Sequence, residues 1–437
     1  MIHSAISRGS IPEVFWTIPR QDSGTQRRLA PKSRCKPVSN FTYSLSKPFN
    51  KLLTGIALKA VALKDITALP RRFFPKLERL ILCLEDRTEF ENFDWIMNDE
   101  VKAFAHSPTL THVALKRPFR NAETDHIQLP WKQLTHFVEG SLHTNSARYF
   151  LTTYLPMATQ LRFLALTLSV ADFDDYANRW CSFPSTTMPN LESLSIDSTV
   201  GGVIAGCPWF LTKFNFPNLR SLRLSGLGLD FESLDMVGAN HPPAEVLLDK
   251  LRGFTRLQYL SLIFPGVLNG RTLKQILDAT PHVTVLDTPV FLHFPKVLLA
   301  LTGGFNAEAD DTRPAQILLP RLQKLVLTVQ SVEIGPLVIW RDRHPIEPDL
   351  LVPFARSRIG SNLETPLKKI SLCNLHPEDV DEEDTLMEAV RTLREEGLEV
   401  EINMEDESRR GMRPECATFP RWVERDPDTK DWLSMFV

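Results

Sequence analysis

The side chains with the greatest chemical potential in this sequence are a run of carboxylates near the C-terminal end. The run consists of Glu378, Asp379, Asp381, Glu382, Glu383 and Asp384. Carboxylates bind calcium, but the run lacks the central glycine and the ligand spacing of an EF-hand loop. Acidic side chains are also favoured in the first turn of a helix, where they face the positive end of the helix dipole. We therefore expect a helix start here and not a calcium site.

Other motifs that could support catalysis are absent from the sequence. It contains no HExxH zinc motif, no GxSxG nucleophile elbow and no P-loop lysine motif. The glycines at 226 and 228 lack the third glycine of a dinucleotide-binding turn, and the histidines show no metal-ligand spacing. We expect no enzyme activity, no cofactor and no metal. An enzyme whose site lies in a cleft between repeats, built from residues distant in sequence, is the weaker alternative.

Composition favours an intracellular folded protein. The formal charge is −3, with a basic start, a nearly neutral middle and an acidic end, which does not predict nucleic-acid binding. The six cysteines form no CxxC pair, and the start MIHSAISRGS does not resemble a secretory signal. The longest apolar stretch is interrupted by His293, Pro295 and Lys296, so no membrane span is expected. We expect a cytoplasmic or nuclear location.

One pattern recurs along most of the chain: apolar, two variable, apolar, one variable, apolar. Clear copies begin at Leu58, Leu77, Leu110, Leu161, Leu191, Leu219, Leu257, Leu322 and Leu367, and weaker copies begin at Leu134 and Val283. The second half of each copy alternates as a short strand does. Proline often stands two residues before the first apolar position, where it ends the preceding segment and favours extended backbone.

These copies predict an α/β solenoid with a parallel inner sheet and helical or irregular outer returns, because a single strand of this kind cannot bury its apolar face alone. Helical returns are expected at 99–107, 271–280 and 381–397, the last ending at Gly397 in the left-handed conformation. The sequence LEVEINM then predicts a final strand. The expected domains are a flexible basic tail at 1–50, the solenoid at 51–404 and a tail or cap at 405–437.

The copies resemble leucine-rich repeats, and the P-x-L-x-x-L-x-L lead-in is similar to that of fungal F-box proteins with irregular leucine-rich-repeat solenoids. The resemblance implies an N-terminal F-box that binds the Skp adaptor of a cullin-RING ubiquitin ligase, and a solenoid that captures the protein to be ubiquitinated. The fragment IPEVFWTIPRQ at 11–21 is the only candidate for the opening F-box helix, and Pro19 interrupts it. This indicates a degenerate or truncated F-box. The asparagine ladder that is usual after leucine-rich-repeat strands is missing.

The third and fifth positions of each copy point away from the leucine core and are expected to line the concave binding face of the solenoid. The candidate partner-binding residues on this face are Arg79, His112, His136, Phe163, Arg223, Tyr259, Lys324 and Lys369. Their cationic and aromatic character predicts an acidic or phosphorylated protein partner; the alternative is that they are ordinary solvated strand positions. The predicted function is protein binding that resembles substrate recognition by an F-box receptor, and the alternative is a stand-alone interaction scaffold.

Overall fold

The structure is a computed structural model of the 437-residue chain. It describes residues 14–17, 55–61, 66, 69–70, 73–84, 101–116, 127–143, 150–169, 185–199, 210–211, 213–226, 244–263, 270–290, 298, 301–302, 318–329, 333–334, 338–339, 346–360, 365–375 and 384–404. The C-terminal tail or cap predicted at 405–437 lies outside these ranges. So does the predicted basic tail, except for residues 14–17.

The chain divides into two compact units, residues 1–166 with 413–437 and residues 167–412, so the predicted repeat region is shared between them. The strands of the first unit run in the order β1 to β6, and β1 to β5 pair in parallel with their neighbours. They are β1 Val14–Thr17, β2 Gly55–Val61, β3 Arg79–Leu84, β4 His112–Lys116, β5 His136–His143 and β6 Phe163–Ser169, which ends just past the unit boundary.

The second unit contains a parallel sheet of strand order β8-β10-β11-β12-β13-β16-β17. Its strands are β8 Ser193–Thr199, β10 Ser221–Gly226, β11 Tyr259–Ile263, β12 Val285–Val290, β13 Lys324–Val329, β16 Lys369–Leu375 and β17 Glu399–Met404. Two small sheets pair β7 Thr186–Thr187 with β9 Phe214–Asn215, and β14 Glu333–Ile334 with β15 Val338–Ile339. The helices are α1 Ala244–Gly253, α2 Gly270–Ala279, α3 Pro348–Ile359 and α4 Asp384–Glu395.

Every predicted copy from Leu77 to Leu367 forms one of the parallel strands between β3 and β16, and the weaker copies become β5 and β12. The apolar positions stand side by side on neighbouring strands, as in the row Leu222, Leu260 and Leu286. These three side chains are fully buried. Burial of such a leucine stabilises the fold by roughly 1.5–3 kcal/mol relative to exposure, which explains why the repeat pattern determines the strand register.

The copy predicted at Leu58 is out of phase. In the structure Ile56 pairs with Leu80 and Leu58 pairs with Leu82, so this copy corresponds to Leu53-x-x-Ile56-x-Leu58. Ile56 is buried, as a core position should be. Two overlapping stretches of sequence fit the same short pattern, and the one that continues the buried row beside Leu80 forms the strand.

Residues 14–17 form strand β1, which pairs in parallel with β2. Valine, phenylalanine, tryptophan and threonine are strand-favouring types, and Pro19 follows closely. The opening helix expected of an F-box is therefore not formed at these four residues.

The prolines have a more specific role than the sequence predicted. Each occupies the second position of a tight turn that leads into a strand, closed by a backbone hydrogen bond such as Leu219 N to Phe216 O at 3.2 Å around Pro217. Proline favours that turn position because its φ is already fixed near the required value. In four of these turns the residue just before the proline is an apolar side chain that is buried: Phe74, Met188, Phe216 and Leu319. The lead-in therefore contributes a core residue as well as a turn.

Helix predictions fared unevenly. The helices predicted at 271–280 and 381–397 are confirmed as α2 and α4, and the strand after α4 is confirmed as β17. Gly397 adopts φ 91°, and the Leu398 amide donates to the Leu393 carbonyl at 3.0 Å, which completes the predicted left-handed helix end. The helix predicted at 99–107 is not formed at residues 101–107: residues 103–106 form a turn, and Val101 forms an isolated parallel bridge with Ile127.

A buried arginine joins separate parts of the second unit. Arg358 on α3 is 1% exposed, and its guanidinium donates hydrogen bonds to the carbonyls of Leu301, Leu318 and Leu319, the last at 2.9 Å. Leu319 has φ 49°, in the left-handed region, and its carbonyl also accepts the turn hydrogen bond from Leu322 N at 3.1 Å. Arg358 therefore fixes the lead-in to β13 by satisfying buried carbonyls, and burial lowers its pKa to about 10.

Candidate functional site

The third and fifth positions of the copies form two rows of side chains on the sheet of each unit; we call the two rows together the ladder face. In the first unit the third-position row places Arg79, His112 and His136 directly opposite one another on β3, β4 and β5. In the second unit it runs through Ser193, Ser221, Tyr259, Val285, Lys324, Lys369 and Glu399. The predicted residues thus fall into two groups, one in each unit, with Phe163 on β6 in the first.

Aromatic stacking dominates the ladder face of the first unit. The His112 and His136 rings lie 4.0 Å apart with 9° between their planes, and His136 and Phe163 lie 5.7 Å apart. The hydroxyl of Thr135 donates to the Thr111 carbonyl at 3.2 Å, so the Nδ1–H of His136, 2.9 Å from the same hydroxyl, is the donor of that contact. These contacts hold the rings in fixed positions.

Electrostatics keep His136 neutral. Its pKa is lowered to about 4, first by burial and then by the positive charges of Arg162 and Arg79. A neutral imidazole adds aromatic area and a hydrogen-bonding nitrogen to the ladder face but no charge. Arg79 supplies a positive charge to this unit's ladder face.

The fifth-position row of the second unit contains a buried carboxylate at its centre. Asp287 on β12 is 5% exposed and accepts hydrogen bonds from the Tyr259 hydroxyl at 2.7 Å and the Ser261 hydroxyl at 3.2 Å. The Thr328 hydroxyl is 3.5 Å from its other oxygen. Asp287 lies directly opposite Ser261, and Ser261 lies opposite Arg223. The carboxylate thus fixes the orientation of Tyr259, a predicted partner-binding residue.

Two glutamates of the last strand neutralise the C-terminal end of the ladder face. The Lys369 Nζ atom lies 2.5 Å from a Glu399 oxygen and 3.1 Å from a Glu401 oxygen. Hydrogen bonds to Glu399 and Glu401 raise the pKa of Lys369, and the bond from Lys369 lowers the pKa of Glu401, to which the charge of Lys324 also contributes. This end therefore presents paired charges and not a cationic patch.

The rows also differ in exposure. Most predicted partner-binding residues at the third position are half-buried, namely Arg79, His112, Tyr259, Lys324 and Lys369. Arg223, at a fifth position, is half-buried as well. His136 and Phe163 are buried. The fifth-position residues Ser195, Ser261 and Ser371 are buried too. Contact with a large partner would therefore fall chiefly on the third-position row.

Sequence reasoning missed the acids of this face. Asp287 occupies the fifth position of the weak copy at Val283, and Glu399 and Glu401 belong to the final strand, which lacks the lead-in turn with proline. The alternation in LEVEINM was the available signal, because it places both glutamates on the same side of a strand.

Neither a metal centre nor a membrane span is found in the part of the chain that the structure describes. No three His, Cys, Asp or Glu side chains there come together in a way that could hold a metal ion. No helix among those residues has the length and apolar character needed to cross a bilayer.

Comparison with known proteins identifies no family. No protein-family model and no curated protein matches the chain. Among solved structures, a Bacteroides fragilis protein is similar with a TM-score of 0.36 and 15% identity, over 80% of this chain and 75% of that one.

Proposed function

We propose that this chain is a leucine-rich-repeat protein-binding module and that its third-position row is the contact surface. The observation that carries the proposal is the half-buried row Ser193, Ser221, Tyr259, Val285, Lys324 and Lys369, held on consecutive strands of one sheet. Neighbouring strands are about 4.8 Å apart. A rigid row of varied side chains at that spacing suits an extended surface of another protein better than a small molecule.

The partner predicted from the sequence, an acidic or phosphorylated protein segment, remains part of this proposal. Arg79 and Arg223 are the members of the ladder face best suited to it, because Arg recognises carboxylate and phosphate through two parallel hydrogen bonds. Lys369 is the least suited, because Glu399 and Glu401 already engage it. Arg223→Gln should weaken partner binding, whereas Lys369→Gln should leave it nearly unchanged.

Site-specific photo-crosslinking of the full chain in its native cells tests the contact surface. A photoreactive residue at Ser221 on the third-position row should give a defined adduct with a partner. The same residue at Lys274, exposed on α2, is the matched control and should not. Ser221→Trp should also remove the partner while Lys274→Trp retains it. Adducts at Lys274 equal to those at Ser221 would contradict the proposal.

The role in a ubiquitin ligase, implied by the resemblance to F-box proteins, is a second proposal, and a stand-alone scaffold is its rival. The residue order Ile11, Pro12 and Glu13 supports the ligase role. Copurification of the full chain with a Skp adaptor and a cullin, lost in Ile11→Lys, would support it. Recovery of the Ser221 partner without adaptor or cullin would favour the scaffold.

A further inference from the structure

A second surface lies just before the ladder face, where the chain enters the strands of the second unit. The residue that precedes each third position stands beside its neighbour. Gln258 N donates to Arg220 O, Thr284 N to Gln258 O, Gln323 N to Thr284 O and Lys368 N to Gln323 O, each at 2.8 Å. The residues two positions earlier, in the lead-in turns, are Asn218, Arg256, His282, Arg321 and Pro366. We call these two parallel rows, from β10 to β16, the entry rim.

The entry rim is basic. Its exposed basic residues are Arg220, Arg256, Arg321 and Lys368, and His282 is half-buried. The two rows contain no Asp or Glu from β10 to β16. The nearest acid in the same row is Glu192, one strand earlier on β8. Adjacent turns touch, since Arg256 donates to the Asn218 side chain at 2.6 Å. The rim thus carries an Arg or Lys beside β10, β11, β13 and β16, in a sheet whose neighbouring strands are about 4.8 Å apart.

These cations differ from those of the ladder face in their partners. Among the residues that the structure describes, none of Arg220, Arg256 and Lys368 forms an ion pair, whereas Lys369 next to Lys368 is bound by Glu399 and Glu401. An anionic ligand can neutralise a cation that forms no ion pair with the described residues without first breaking such a pair.

From this contrast we infer that the entry rim binds an acidic polypeptide segment and so extends the contact surface of the second unit beyond the ladder face. The inference rests on the proposed function, because the same partner would reach both surfaces. It places the recognition of negative charge chiefly on Arg220, Arg256 and Lys368.

A polypeptide fits the rim better than a nucleic acid does. A protein that binds the phosphate backbone of a nucleic acid tightly makes about six to ten phosphate contacts. Proteins that bind single strands also supply aromatic side chains on which the bases stack. The entry rim has four exposed Arg and Lys residues and no Phe, Tyr or Trp in either row. Gln258 and Gln323 in the inner row offer both donors and acceptors, which match the backbone amides and carbonyls of a peptide.

Fluorescence anisotropy with a labelled octaglutamate peptide tests the inference on the full chain at about 50 mM salt, where surface charges are weakly screened. The double variant Arg220→Gln with Arg256→Gln should bind about tenfold more weakly, equal to roughly 1.4 kcal/mol. The matched control is Lys274→Gln with Arg391→Gln, which removes two exposed charges from α2 and α4. It should leave the Kd within about twofold, because those charges lie outside the rim.

Equal weakening in both double variants, or tighter binding of a labelled octauridylate RNA than of the peptide, would overturn the inference. Photo-crosslinking at Ser221 separates its failure from that of the proposed function. If the adduct at position 221 persists unchanged in the Arg220→Gln, Arg256→Gln variant, the entry rim does not contribute to binding, but the ladder face is still a binding surface. If the photoreactive residue at position 221 gives no adduct in a chain that is otherwise wild type, the inference and the proposed function both fail.

Discussion

The rings of His112 and His136 stack 4.0 Å apart on neighbouring strands, although histidine is the side chain whose charge ordinarily changes near neutral pH. Two imidazolium ions at this distance would repel each other. The stack is therefore compatible with a folded state in which His136 stays neutral, as its low pKa indicates.

The first prediction concerns pH. The pKa of His136 is lowered from 6.5 to about 4 in the folded state, so the unfolded chain takes up the proton first and stability falls as the pH drops through this interval. Between pH 7 and pH 5 the loss from this residue should be about 2 kcal/mol. Urea unfolding at both pH values measures it.

His136→Gln should reduce the pH 7 to pH 5 difference by that amount. Glu396 and Glu401, whose pKa values are lowered from 4.5, contribute mainly below this window. An unchanged pH dependence in His136→Gln would show that another group is responsible.

The second prediction concerns the buried arginine. Arg358→Met removes the donors to the carbonyls of Leu301, Leu318 and Leu319. The Leu319 carbonyl keeps its bond from Leu322 N, but loss of the buried donor to the other two should lower the free energy of unfolding by about 3 kcal/mol. Arg356→Met is the control: Arg356 also lies on α3, but it is exposed and pairs with Glu396 at the surface. Chemical denaturation should show little change for it, and equal loss in the two variants would refute the role of Arg358.

The third prediction compares two glycines. Gly397→Ala should destabilise the fold by roughly 1–2 kcal/mol, because a residue with a Cβ is strained at φ 91° even though the added atom meets open space. Gly253 at the end of α1 also has open space, and its φ is not in that region. Gly253→Ala should be neutral or stabilising, and thermal unfolding distinguishes the two substitutions. Equal effects would contradict the left-handed helix end.

The fourth prediction tests the phase of the first repeat. If Ile56 is the equivalent of Leu80, then Ile56→Ala should cost about 2–5 kcal/mol, as does truncation of a core residue. Leu80→Ala provides the comparison on the neighbouring strand. A much smaller loss for Ile56→Ala in urea unfolding would restore the phase that begins at Leu58.

The repeat pattern predicted the strands well, because each copy combines an alternating apolar pattern with a proline turn before it. It could not decide between overlapping matches, as at Leu58, since that choice depends on pairing with Leu80. The pattern predicted which residues stand at the third and fifth positions of the strands. It did not predict the acids of that face, because Asp287 lies in a weak copy and Glu401 in a strand without a turn. Arg358 gave no sequence signal, since its carbonyl partners belong to distant segments.

Strand register in the second unit is set where each strand begins. A single carbonyl, such as that of Thr284, accepts from both Gln323 N at 2.8 Å and Lys324 N at 3.0 Å, and the carbonyl of Arg220 does the same for Gln258 and Tyr259. The returns between paired strands differ in length, yet each of these strands begins with the same pair of hydrogen bonds to one carbonyl of its neighbour. Evolution or protein engineering can therefore lengthen or replace the returns of this sheet, and even insert a foreign domain, without changing which side chains stand opposite one another.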